Sequence, residues 1–158
     1  ALDLKINKKI IEKTIPSLAF TGRFNYLKKG RIKKMLHKSE LIMIDGAHSP
    51  TDALNLCNYL KTIKLPKYGI WSMTKNKEPD LFIKELKNVF QKIVTVPIED
   101  ENGSESASKL NKIAFKNKII SETAYNLKDA LKKISSSERK LIVAFGSLYA
   151  AGSILNKN

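Results

Sequence analysis

A chain of 158 residues, 42% hydrophobic and 28% charged, suits one globular domain and excludes wholesale disorder and collagen-like structure. Its 29 lysines and arginines against 15 acidic residues give a net charge of +14, which invites a polyanion partner. Only Arg23, Arg31 and Arg139 are arginines, however. Phosphate and base readers rely on the planar guanidinium fork, so the excess reads as lysine-rich background and argues against nucleic acid as the main partner. No apolar run approaches the roughly 18 residues of a membrane span, and the first residues lack the apolar core of a secretory signal. Cys57, the lone cysteine, permits no internal disulfide. The expectation is a cytoplasmic domain with no membrane partner.

Residues 1–20 do not fit the pattern that follows and read as the end of an upstream domain. Residues 24–32, with Gly30 as a turn, suggest a short antiparallel edge strand. From residue 41 strands and helices alternate. LIMI at 41–44 is a buried strand that ends at Asp45-Gly46. Ser49-Pro50 then supplies an N-cap and a first-turn proline. Ala53, Leu54, Cys57 and Leu60 follow at helical spacing.

A second strand is expected at 68–73, then a polar loop at 74–78. Pro79 opens a helix with Phe82, Leu86, Val89 and Phe90 inward. A third strand is expected at 92–98, a turn-rich loop at 99–106, and a helix burying Ala107, Leu110, Ile113 and Ala114. KII at 118–120 reads as a fourth strand, and Asn126 as the cap of a helix carrying Leu127, Ala130, Leu131 and Ile134. KLIVAF at 140–145 is the fifth strand, followed by a closing helix carrying Leu148, Ala151, Ile154 and Leu155. The fold class expected for 21–158 is α/β: a Rossmann-like, mostly parallel sheet with helices on both faces.

Ligands of open parallel sheets bind beyond the carboxyl ends of the strands. The segments there are Asp45-Gly46-Ala47-His48, the loop 74–78, Glu99-Asp100, Ser121-Glu122 and Gly146-Ser147. Neither G-x-G-x-x-G nor G-x-x-x-x-G-K-[ST] occurs, so neither familiar phosphate cradle is present in this sequence. His37, His48 and Cys57 do not form a metal-binding spacing, and no G-x-S-x-G elbow is present. No residue is nominated as catalytic in its own right, and no metal ligand is nominated.

Four segments, GRFNYLKKG (22–30), LIMIDGAHSP (41–50), SMTKNKE (72–78) and LIVAFGSLYAAGSIL (141–155), resemble the C-terminal domain of folylpolyglutamate synthase/dihydrofolate synthase, of the Mur ligase superfamily. Order and spacing match across nearly the whole chain. D-G-A-H followed by G-S-L-Y is the specific part of the match. The resemblance implies an ATP-dependent amide ligase: ATP phosphorylates a carboxylate of dihydropteroate or of a folate, and the amine of L-glutamate attacks the acyl phosphate. ATP and Mg²⁺ would be held mainly by an N-terminal phosphate-loop domain, in cis or in trans. The acceptor stays open between dihydropteroate and folylpolyglutamate. A degenerate or split-gene remnant without ligase activity, or a basic nucleic-acid-binding module, is the alternative.

By the same resemblance Arg23 would reach ATP phosphates and Asp45 would contact the nucleotide. His48 and Ser147 would lie on the glutamate side, and Lys77 stands where the family loop carries a lysine. Each has a plainer reading: a surface arginine, a strand-end turn residue, a loop histidine, an N-cap and a solvated lysine. Cys57 and Trp71 read as core, and His37 carries no signal. The chain also departs from the family pattern. Ser49 replaces an asparagine, Thr21 a proline, Phe20 a common tryptophan, and the 73–78 loop loses both aspartates.

Overall fold

The computed structural model describes residues 22–158. The expected upstream remnant at 1–20, and the departures at Phe20 and Thr21, lie outside those residues. In chain order the elements are β1 (Asn25–Tyr26), α1 (Arg31–Lys34), β2 (Leu41–Asp45), α2 (Pro50–Lys61), β3 (Lys67–Trp71) and α3 (Pro79–Glu85). They continue with β4 (Lys92–Thr95), α4 (Ala107–Lys116), β5 (Ser121–Thr123), α5 (Leu127–Ile134), β6 (Leu141–Phe145) and α6 (Leu148–Lys157).

The strands form one sheet in the order β1-β2-β6-β3-β4-β5. β1 runs antiparallel to β2, and every other pair is parallel. β6, last in sequence, sits between β2 and β3. Its LIVAF side chains are all buried, the place an uninterrupted apolar run belongs when helices cover both faces.

Because strand side chains alternate between faces, β2, β3, β4 and β6 each feed two cores. Met43, Trp71, Ile93, Val143 and Phe145 meet Leu56, Cys57 and Leu60 of α2, Phe82 and Ile83 of α3, and Leu110 and Ala114 of α4. On the other face Ile42, Ile44, Ile70, Val94, Ile142 and Ala144 meet Ala130, Leu131 and Ile134 of α5, Ala151 and Ile154 of α6, and Ile32 of α1. Cys57 and Trp71 are core, as expected.

The sequence-based boundaries need correction in several places. The fourth strand is Ser121–Thr123, not 118–120: Lys118 takes φ 59° after the C-cap Asn117, so KII is spent on the turn out of α4, with Ile119 buried and Ile120 exposed. The third strand stops at Thr95, short of the expected 98, because Pro97 has no N–H for a ladder. Only Asn25–Tyr26 of the 24–32 segment pairs as a strand, and Gly30 turns it into α1. Leu54, at helical spacing with the buried Ala53, Cys57 and Leu60, is exposed, as is Leu148 at the start of α6. Leu56 occupies the core position on α2 instead.

Candidate functional site

The parallel register aligns the strand ends. Asp45 pairs with Phe145, Phe145 with Trp71, Trp71 with Thr95, and Thr95 with Thr123. The segments after β2, β3, β4, β5 and β6 therefore leave the sheet along one edge, and the candidate residues converge there.

Asp45 ends β2 and is 2% exposed. Its Oδ1 accepts the N–H of Ala47 at 2.8 Å, and its Oδ2 accepts the N–H of Phe24 at 2.9 Å, across the antiparallel edge. A further bond, from Gly46 N–H to Gly22 C=O at 2.7 Å, seals the same junction. Burial pushes the Asp45 carboxyl above its usual range, against the downward pull of those two N–H groups and of Arg23. Asp45 thus ties segment 22–24, and with it Arg23, to the end of a core strand.

Arg23 reaches back between two carboxylates, Asp45 Oδ1 at 3.8 Å and Asp52 Oδ2 at 3.8 Å. These are ion-pair distances and too long for hydrogen bonds. About a third of the side chain is exposed. The guanidinium is held by charge, and among the described residues its N–H groups donate to no acceptor.

His48 precedes the Ser49 cap of α2, whose Oγ accepts the Asp52 N–H at 3.2 Å. The His48 ring Nδ1 lies 2.9 Å from Gly46 C=O. A carbonyl can only accept, so Nδ1 carries a proton, and in the neutral ring the lone pair falls on Nε2. The His48 backbone N–H donates to Asp52 Oδ2 at 3.2 Å, and Nδ1 lies 3.6 Å from the same oxygen. Burial works upward on Asp52, but the His48 N–H, Arg23 and the Ser49 hydrogen bond outweigh it and hold the carboxyl below its usual range.

On the neighbouring strand, Gly146 takes φ 108° directly after β6. A Cβ there would stand 2.1 Å from Ser72 C=O and 2.6 Å from Trp71 Cδ1, so only glycine fits the turn. Ser147 follows as the N-cap of α6, accepting the N–H groups of Tyr149 and Ala150. Leu148 then lies over Gly46, where a Cβ would be 2.2 Å from its Cδ2. The exposure of Leu148 follows from this: it seals the D-G-A-H turn rather than the core.

His48, Lys77, Ser147, Thr74, Leu148 and Tyr149 line one small pocket between these two turns. A second, more apolar cleft lies between α5 and α6, floored by Ile70 and Ala144, and shares Ser147 with the first. The five sequence candidates therefore form two linked groups: Arg23, Asp45 and His48 in one charge network, and His48, Lys77 and Ser147 around one pocket. His37 is remote from both and hydrogen-bonds Ser39.

The residue missed by sequence reading is Asp52, the centre of the network. Its signal was its position three after the Ser49 cap, where an acid reaches back to the backbone N–H groups before the helix. Among the described residues no group of three His, Cys, Asp or Glu side chains could hold a metal ion. No helix of the described residues is long and apolar enough to cross a membrane.

Fold and site together define a mostly parallel α/β domain with a polar, charge-networked rim at the carboxyl ends of its parallel strands. No protein-family model matches the sequence, and no curated protein matches it. Solved structures do. The chain is similar to Mycobacterium tuberculosis folylpolyglutamate synthase complexed with ADP, at TM-score 0.78 and 20% identity over 96% of this chain and 35% of that one. It is also similar to E. coli FolC in complex with ADP, at TM-score 0.74 and 18% identity over 98% and 35%. A third is the bifunctional folylpolyglutamate synthase/dihydrofolate synthase of Yersinia pestis with Mn, AMPPNP and L-glutamate bound, at TM-score 0.75 and 16% identity over 98% and 35%. The chain spans about a third of the length of these structures. At such identities the likeness is one of fold, and the fold is the one the sequence motifs implied.

Proposed function

We propose that this chain is the C-terminal domain of a cytoplasmic, ATP-dependent ligase that joins L-glutamate to dihydropteroate or folylpolyglutamate through an acyl phosphate. The observation that carries the reading is the meeting of Arg23, Asp45 and His48 in one network, with Lys77 and Ser147 across the pocket that His48 lines.

Arg23 faces the nucleotide. Its charge is held by two carboxylates, yet its donors are uncommitted among the described residues, which suits phosphate oxygens that build charge during transfer. Asp45 serves the same side by fixing the segment that carries Arg23. Mg²⁺ finds no ligand set among the described residues and is assigned to none of them. The phosphate cradle belongs to a separate N-terminal domain, and closure of the two would exclude water from the acyl phosphate.

Lys77 and the Ser147 turn at the start of α6 face glutamate carboxylates, since a helix N-terminus and a lysine both favour an anion. The amine of glutamate arrives as an ammonium and must lose a proton before it attacks. In this reading His48, whose Nδ1 donates to Gly46 C=O, takes it on Nε2 of the neutral ring. Attack forms the C–N bond and breaks the bond from the acyl carbon to the phosphate oxygen. The electron pair leaves with phosphate, which takes the second amine proton.

The test is to mix the chain with a separately produced phosphate-loop domain of this ligase class and measure ADP release. Glutamate-dependent release on mixing, and none from either part alone, is expected. No release with dihydropteroate or any folate would overturn the reading in favour of a remnant without ligase activity.

A further inference from the structure

We propose that Asp52 is the residue of the rim that binds a primary ammonium, and that it sets the polarity with which an amino acid docks. This rests on the ligase reading above and names the substrate group that one side chain recognises.

Asp52 stands in the first turn of α2, where an acid after a serine cap has an ordinary role in satisfying backbone N–H groups. Three contacts go beyond that role, and all are made by one oxygen. Oδ2 accepts the His48 N–H at 3.2 Å, lies 3.6 Å from His48 Nδ1 and lies 3.8 Å from Arg23 Nη2. Oδ1 accepts no backbone N–H and makes no ion pair among the described residues, and the side chain is 27% exposed. One oxygen is thus anchored by the backbone, and the carboxyl stands part-exposed at the rim, held below its usual range.

The charge around it selects the ligand. Asp45 and Asp52 flank the single positive charge of Arg23, so this corner carries a net negative charge. Across His48, the pocket wall holds Lys77 and the Ser147 turn, which is positive in character. An α-amino acid carries an ammonium and a carboxylate on one carbon. It matches this layout in one orientation, ammonium toward Asp52 and His48, carboxylate toward Lys77 and Ser147.

The experiment uses the 158-residue chain and two probes, L-glutamate and glutarate, which lacks the ammonium. Binding is followed by NMR at the His48 ring and by calorimetry. Asp52→Asn keeps an oxygen for the His48 N–H but loses the charge, and Asp52→Glu keeps the charge. Circular dichroism checks that each variant is folded. Asp52→Asn is expected to weaken L-glutamate by about tenfold or more, the worth of one charge-assisted hydrogen bond. Glutarate binding should hold or tighten, and Asp52→Glu should recover part of the glutamate loss. Equal losses for both probes, or none for glutamate, would overturn the assignment while leaving the ligase reading in place. Failure of the unaltered chain to bind either probe would overturn both.

Discussion

At the scale of single residues the site is decided by how two carboxylates differ. Asp45 is sealed and accepts two backbone N–H groups. Asp52 is part-exposed and anchored by one oxygen. Their carboxyls are displaced in opposite directions, Asp45 upward by burial and Asp52 downward by its donors and Arg23. A raised carboxyl favours folding at low pH and loses that contribution as pH rises from its unfolded value near 3.8 through its folded value. A lowered carboxyl contributes above 3.8 and loses it as pH falls through its folded value. Denaturation of Asp45→Asn across the weakly acidic range should therefore lack the decline with rising pH that Asp45 imposes on the unaltered chain. The variant should also lose about 1–3 kcal/mol near neutral pH, because its amide N–H₂ must face a backbone donor in place of one oxygen. No loss in urea denaturation would show that the junction to Phe24 and Ala47 is not held by this carboxylate.

Between elements, the turn from β6 into α6 is the tightest constraint. Gly146→Ala would drive a Cβ into Ser72 C=O at a backbone angle that suits only glycine, so it is expected to displace the start of α6 and abolish ligand binding at the pocket. Ser147→Ala removes the cap alone and should cost about 1 kcal/mol, read by urea denaturation and by faster hydrogen exchange at Tyr149 and Ala150. A second constraint lies at the far end of the same strand. Lys140 is 2% exposed and Glu40 0% exposed, with Lys140 Nζ 3.9 Å from Glu40 Oε1. Glu40 accepts the N–H groups of His37 and Ser136 and the Ser135 hydroxyl. Lys140 donates to Ile134 C=O and Ser136 Oγ and sits over the Tyr68 ring at 4.6 Å. Lys140→Met leaves a buried carboxylate without its counter-charge and should cost about 3–5 kcal/mol in urea denaturation; a loss below about 1 kcal/mol would mean that water takes over the lysine's role.

Over the whole molecule the fold sorts the charge. The helices that follow the parallel strands carry Asp52, Asp80 and Asp129 in first turns and Lys61, Lys84, Lys116, Lys132, Lys133 and Lys157 in last turns. Acids at helix starts and bases at helix ends both suit the helix dipole. Lys116, Lys133 and Lys157 also reach across to Asp80, Thr123 C=O and Glu99, so part of the lysine excess is spent on contacts between segments. Self-repulsion among those lysines predicts that the urea midpoint rises as salt goes from about 10 mM to about 150 mM, where screening shortens to roughly 8 Å. A midpoint that fell would point instead to net stabilisation by surface ion pairs.

Local chemistry determined a good deal of this protein. The alternation of strands and helices, the buried LIVAF strand, the caps at Ser49, Asn126 and Ser147, and the D-G-A-H and G-S-L-Y turns are all set by side-chain period and turn propensity within about ten residues. Those signals survive in the sequence because neighbours in the chain create them. The insertion of β6 between β2 and β3, the bond from Phe24 to Asp45 and the link from Arg23 to Asp52 were decided by tertiary structure alone. Each joins residues more than twenty apart in sequence, and a carboxylate's partners across such a gap leave no periodic trace. The boundary of β5 fell between the two: an apolar KII favours a strand by propensity, and only the left-handed Lys118 turning out of α4 pushed the pairing on to Ser121.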